Sequence, residues 1–298
     1  MPYPIASLHY GLRFRLAELA TPLERLNLQI AAGNSSICPP NLQLLHKYDD
    51  VFDFHTRDGQ VLVLKVKKIT EVLLDVKPYK VAKDSLTECG RKIFLNFFTE
   101  QHLESEKFNH FLLRPNKLKL NNCDLSKPFL DKLSTMTSQS PTIVVILQEK
   151  CYAHTLNFSQ LFTAFPQVQC IRLDRCQLSE TWIADILQCK KHSFQALDIT
   201  IYSNQLETFK LNDLIKFMKV QRRGFCMFVT VLGSSDSSDL FFAQLKQFLN
   251  TRLRHTYTEP QEKKFTHVYF YYRNVRICWY LPHNTRLVSK KSPLHRWW

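Results

Sequence analysis

Cys170, Cys176, Cys189 and His192 fall within a span of 23 residues. Thiolate and imidazole are zinc donors, and Cys189 with His192 has the spacing of half a structural zinc site. A closed site needs two tight ligand pairs, and Cys176 is accounted for by a repeat described below, so no metal is expected. A second chemical cluster is aromatic and cationic: Tyr269, Tyr271, Tyr272, Arg273, Arg276 and Trp279 lie within eleven residues. Rings interleaved with Arg can stack bases or form an interface hot spot. The Tyr and Trp residues are also simply good strand formers. No G-x-S-x-G, H-E-x-x-H, Walker-type or G-x-G-x-x-G stretch occurs. Neither catalysis nor a cofactor is therefore expected, although a hydrolase whose site is dispersed along the chain would leave no such trace.

One unit occurs twice and organises the elements around it. Residues 118–133 read LKLNNCDLSKPFLDKL and residues 171–186 read IRLDRCQLSETWIADI, in register at an offset of 53. Leu118, Leu120, Cys123, Leu125 and Ser126 fall on Ile171, Leu173, Cys176, Leu178 and Ser179. Alternation of apolar and polar residues marks a strand, and Phe129, Leu130 and Leu133 have helical spacing. Ser126 and Ser179 are placed as N-caps. The pattern is that of leucine-rich repeats, L-x-L-x-x-C-x-L, with buried cysteines that pack rather than react.

Between and beyond the copies, 143–147, 196–201 and 225–232 read as buried strands, and 158–165, 211–218 and 240–253 as helices. Such alternation predicts a mostly parallel sheet. Residues 233–239 read as a loop ending in an N-cap. Asp58-Gly59 predicts the turn of a hairpin over 51–66, and Arg273-Asn274 that of a closing hairpin over 265–281. Residues 85–113, with Phe94, Phe97, Phe98 and Leu103, read as helical. The fold class expected is α/β: leucine-rich-repeat-like strand–helix repeats, an N-terminal helical hairpin and a C-terminal β-hairpin.

In that N-terminal hairpin, Leu8, Leu12, Leu16 and Leu19 form one helical stripe. Thr21, Pro22 and Glu24 then supply a capping box with Pro at the first position. Leu23, Leu26 and Ile30 continue the second helix, Gly33 ends it, and Cys38-Pro39-Pro40 prevents continuation. Leucines are expected on both inner faces. Residues 10–34, YGLRFRLAELATPLERLNLQIAAGN, resemble a degenerate F-box. They are similar to the opening of a nematode F-box family, the F-box C-like proteins, as are FNHFLLRP at 108–115, NCDL at 122–125 and WIADILQ at 182–188. The resemblance spans about residues 3–230 and is most specific over the first 35. Departures are the absence of a Leu-Pro opening and of a third-helix Trp. The resemblance implies a substrate-recognition adaptor that docks an Skp-type protein of a cullin ubiquitin ligase through Leu12, Leu16, Leu19, Pro22, Leu23 and Leu26, and that presents an unknown protein substrate.

The expected domains are 1–42, F-box-like hairpin; 43–100, β-hairpin and helical connector; 101–282, repeat-like α/β domain; and 283–298, basic tail. Nine scattered cysteines, mostly inside apolar patterns, suit reduced thiols, so an intracellular location, cytoplasm or nucleus, is expected. No apolar run approaches the length of a membrane span. A formal net charge of +14 adds an alternative function: a basic nucleic-acid-associated protein using Tyr271, Arg273, Arg276 and Trp279.

Overall fold

A computed structural model describes residues 5–33, 42–48, 50–68, 74–149, 155–189, 194–257 and 265–281. The Cys38-Pro39-Pro40 break, His192 and the 283–298 tail lie outside them. The protein is α/β and divides into two compact units, Met1–Thr142 and Ile143–Trp298.

The first unit holds α1 (Tyr10–Leu19), α2 (Pro22–Ala32), β1 (Leu45–Tyr48), β2 (Val51–Arg57), β3 (Gln60–Lys68), β4 (Leu74–Pro78), β5 (Leu86–Cys89), β6 (Lys92–Asn96), β7 (Phe111–Leu113), β8 (Lys117–Asn121) and α3 (Lys127–Met136). One sheet runs β4-β3-β2-β6-β8, antiparallel up to β2 and parallel from β2 to β8. Three short parallel strands, β1-β5-β7, form a second. Asp58 and Gly59 both take positive φ between β2 and β3, the geometry that a twisted two-residue hairpin requires. Aromatic rings fill the core: Phe54 stacks on Phe108 at 5.3 Å and meets Phe111 edge-on at 5.2 Å.

The helix expected over 85–113 is not there. The segment forms β5, β6, two 3-10 turns (Gln101–Glu104 and Glu106–His110) and β7. Ile93 and Leu95 are buried while Phe94 between them faces the other way, so period two governs this stretch. Phe97 then takes a positive φ of 62°, which breaks any helical register.

The second unit holds β9 (Ile143–Leu147), α4 (Phe158–Ala164), β10 (Cys170–Asp174), α5 (Trp182–Gln188), β11 (Ala196–Tyr202), α6 (Leu211–Val220), β12 (Cys226–Leu232), α7 (Asp236–Asn250), β13 (Arg254–Thr256), β14 (Thr266–Tyr272) and β15 (Val275–Leu281). Its sheet order is β9-β10-β11-β12-β14-β15-β13, parallel as far as β14 and antiparallel beyond. Helices bury one face of it: Trp182 meets Phe209 edge-on at 5.1 Å, and Phe209 meets Phe270 at 5.7 Å. α7 starts at Asp236, four residues before the expected Leu240, because Ser235 and Ser238 form a capping box. Only Gly233, Ser234 and the N-cap Ser235 remain between β12 and α7.

The duplicated unit folds into two matching corners. Asn122 and Arg175, 53 residues apart, both take positive φ, and the cysteine that follows each is buried. Cys123 Sγ donates to the Leu95 carbonyl at 3.3 Å, and Cys176 Sγ to the Ile146 carbonyl at 3.8 Å. Each acceptor is the penultimate residue of its strand, β6 or β9. The serines behave otherwise than expected. Ser126 stands at the N-cap of α3, but its side chain makes no capping hydrogen bond; its hydroxyl donates to Asp124 Oδ2 at 2.9 Å. In the second copy the N-cap is Thr181, and the Ser179 hydroxyl donates to Asp185 at 3.1 Å.

Candidate interaction surface

The N-terminal pair of helices exposes Tyr10, Leu12, Phe14, Leu16, Leu19 and Ile30. α2 is locally well specified. The Thr21 hydroxyl accepts from the Glu24 N–H, Glu24 accepts from the Thr21 N–H at 2.8 Å, and Gly33 closes the helix at φ 68°. Pro22 at the first position is buried. Polar clamps fasten α2 to its unit: Arg25 Nη2 donates to Asp84 Oδ1 at 2.9 Å, and the Gln29 amide exchanges hydrogen bonds with the Gln43 backbone. The Arg25 guanidinium holds the Asp84 carboxyl below the ordinary carboxylate range.

α1 is different, and the expected inner face of leucines is not formed. None of its residues is buried. Leu12 is 57% exposed, Leu16 38% and Leu19 70%. Arg13 and Arg15 are interleaved with Leu12, Phe14 and Leu16, so no broad apolar stripe is left to pack inward. On α2, Leu23 and Leu26 are half-buried and Ile30 is exposed. The helices open a groove of about 510 Å³ lined by Leu16, Leu19 and Ala20 with Leu28 and Ala31, and floored by Ile5. Of the six expected docking residues, the structure thus brings Leu16 and Leu19 together. Leu12 is exposed outside the groove, Pro22 starts α2, and Leu23 and Leu26 do not line the groove. Leu28 and Ile5 were missed. Leu28 lies three residues before Ala31, the helical spacing that places both on one side.

The remaining reactive groups are unpromising as chemistry. Burial pushes the Cys123 and Cys176 thiols up to about 12, so both are protonated at neutral pH. Among the described residues no three His, Cys, Asp or Glu side chains converge to hold a metal ion. In the β14–β15 hairpin, Tyr271 and Arg276 are paired and exposed, and Arg273 Nη1 binds Asp239 Oδ2 at 2.7 Å. Trp279 departs from expectation. It is fully buried, and its Nε1 donates to Asn250 Oδ1 of α7 at 2.8 Å, so it offers no face to a ligand. The hairpin register explains this, because Trp279 pairs with Val268 on the helix-covered face. Among the described residues no helix is long and apolar enough to cross a membrane.

Compared with family models, curated proteins and solved structures, the chain matches none of them.

Proposed function

We propose that the protein is a non-enzymatic interaction protein, an F-box-type adaptor whose N-terminal helices dock an Skp-type protein and whose body holds a protein substrate. The observation that carries the reading is the apolar surface of α1 and α2, where Leu12, Leu19 and Ile30 are each more than half exposed beside a groove lined by Leu16 and Leu28. A helix that buries none of its residues gains little from its own fold, and covering these side chains would contribute about 1.5–3 kcal/mol for each one fully buried. The sequence resemblance of residues 10–34 supplies the identity of the partner.

The body is leucine-rich-repeat-like in this reading, supported by the two strand–corner–helix copies with their equivalent cysteines. Its task is mechanical: a target held near a ubiquitin-charged enzyme reacts at an effective concentration on the order of millimolar. No side chain of this chain takes part in the transfer. The test is titration of the full chain with a purified Skp-type adaptor. Saturable binding that Leu12→Glu with Leu19→Glu weakens by about 100-fold or more supports the reading, since two leucines are then replaced by charges inside an apolar interface. Absence of binding at about 100 μM, or binding indifferent to the double substitution, sinks it.

A further inference from the structure

The sheet of the second unit has two unlike faces. Val268, Phe270 and Tyr272 of β14, with Ile277 and Trp279 of β15, point to the helices. Tyr272 hydrogen-bonds Ser238 and Asp239 of α7. His267, Tyr269 and Tyr271 alternate with them and therefore lie on the opposite face. Register extends that face to Phe228 of β12, which pairs with Tyr269, to Arg276 and Tyr280 of β15, and to Arg254 of β13.

These side chains form an ordered stack. Phe228 and Tyr269 lie parallel, with centroids 4.8 Å apart and planes 9° apart. The Arg276 guanidinium lies 4.9 Å from the centroid of the Tyr269 ring. Phe265 and Tyr280 stack at 5.4 Å and 11°. Tyr271, one step along β14, is 43% exposed with its hydroxyl held by Asn274 at 3.2 Å.

The charge that β12 to β15 place on this face has one sign. β12, β13, β14 and β15 contain no Asp or Glu, while Arg254 and Arg276 are both exposed. The nearest carboxylate in the register, Asp198 of β11, lies opposite Phe228 and is already engaged by Arg172 at 3.6 Å. A partner must therefore be anionic, and it must offer flat rings to extend a stack. An acidic peptide meets the first requirement but not the second. A duplex hides its base faces, whereas a single strand exposes them.

We propose that the Phe228, Tyr269, Tyr271, Tyr280, Arg254 and Arg276 face binds single-stranded nucleic acid. Bases stack on Tyr271 and along the Phe228–Tyr269 edge, and the two arginines meet the phosphates. Four strands span roughly 14 Å, room for two or three nucleotides, as on other sheet platforms. The site shares no residue with α1 or α2, so it stands or falls separately from adaptor docking.

The experiment is fluorescence anisotropy of the full chain with labelled 12-nucleotide RNA and DNA single strands, the matching duplex, and an acidic peptide of equal charge. Single strands are expected to bind best, with the RNA and DNA arms showing whether the 2′-hydroxyl contributes. Tyr271→Ala lowers affinity about tenfold, the loss of one stacked base, while Tyr271→Phe retains it. Arg254→Ala and Arg276→Ala each reduce the salt slope by about one. Lys80→Ala with Lys83→Ala, exposed lysines of the first unit, removes the same charge and has little effect. No binding overturns the proposal. So does equal binding of duplex or acidic peptide, or a loss with the lysine pair as large as with the arginine pair. Thermal melts of every variant accompany the titrations. Should Tyr271→Ala fail to fold, Arg276→Ala decides on the same terms.

Discussion

Replacing Leu12 and Leu19 by Glu leaves the fold intact, and the size of the effect follows from exposure. Leu19 is 70% exposed and Leu12 57%, so about a third to two-fifths of each side chain is removed from water. Full burial of a Leu is worth about 2 kcal/mol, which puts the two losses near 0.6 and 0.9 kcal/mol and their sum near 1.5 kcal/mol. The added charges roughly cancel: Glu near the start of α1 gains a few tenths of a kcal/mol from the helix dipole, and Glu near its end loses as much. Because α1 buries nothing, much of this falls on local fraying rather than on global unfolding. Leu120→Ala in β8 is the contrast: a fully buried leucine, for which about 2–5 kcal/mol is expected. The assay is urea denaturation followed by circular dichroism at 222 nm, wild type against both variants. If the double Glu variant lowers the midpoint as far as Leu120→Ala does, α1 packs inward and the account of an open surface is refuted.

Three further outcomes follow from buried groups. Trp182 is fully buried with no hydrogen-bond partner for its Nε1 among the described residues, whereas Trp279 Nε1 has Asn250. Trp182→Phe is therefore expected to cost less than Trp279→Phe by about 1 kcal/mol, read from denaturation midpoints; the reverse order would contradict the assignment of these bonds. Burial lowers His267 from 6.5 to about 4, so the fold holds it neutral. A depressed histidine contributes stability that is complete above the unfolded value and is lost as pH falls from 6.5 towards 4, at up to ~1.4 kcal/mol per pH unit. His267→Phe should flatten that part of the wild-type stability profile, and an unchanged slope would show that other groups set it. Native alkylation at pH 8, mapped by mass spectrometry, should label half-exposed Cys189 and Cys226 before buried Cys123 and Cys176; equal rates would mean that the corners open freely.

Features set by local chemistry were readable in the chain. The Thr21–Glu24 box and the Gly33 stop depend on a few adjacent residues, and so do the Asp58-Gly59 and Arg273-Asn274 turns. At both ends of the 53-residue offset a left-handed residue, Asn122 or Arg175, precedes a buried cysteine. Segment 85–113 was misread because Phe94, Phe97 and Phe98 mimic helical spacing, while Ile93 and Leu95 carry the true alternation. The fate of the α1 leucines was not legible at all. A stripe of Leu12, Leu16 and Leu19 states that something apolar should cover them, and only the three-dimensional arrangement shows that the chain's described residues leave them open. Trp279 was legible in principle, since a two-residue turn at 273–274 pairs it with Val268 and so puts it on the apolar face.

The central claim is that α1 and α2 present a docking surface. Calorimetric titration of the full chain with a purified Skp-type adaptor tests it most directly. One-to-one binding is expected, weakened by about 100-fold or more in Leu12→Glu with Leu19→Glu while the melting profile stays close to wild type. Binding that survives the double substitution, or no heat and no complex with wild type at about 100 μM, would contradict it.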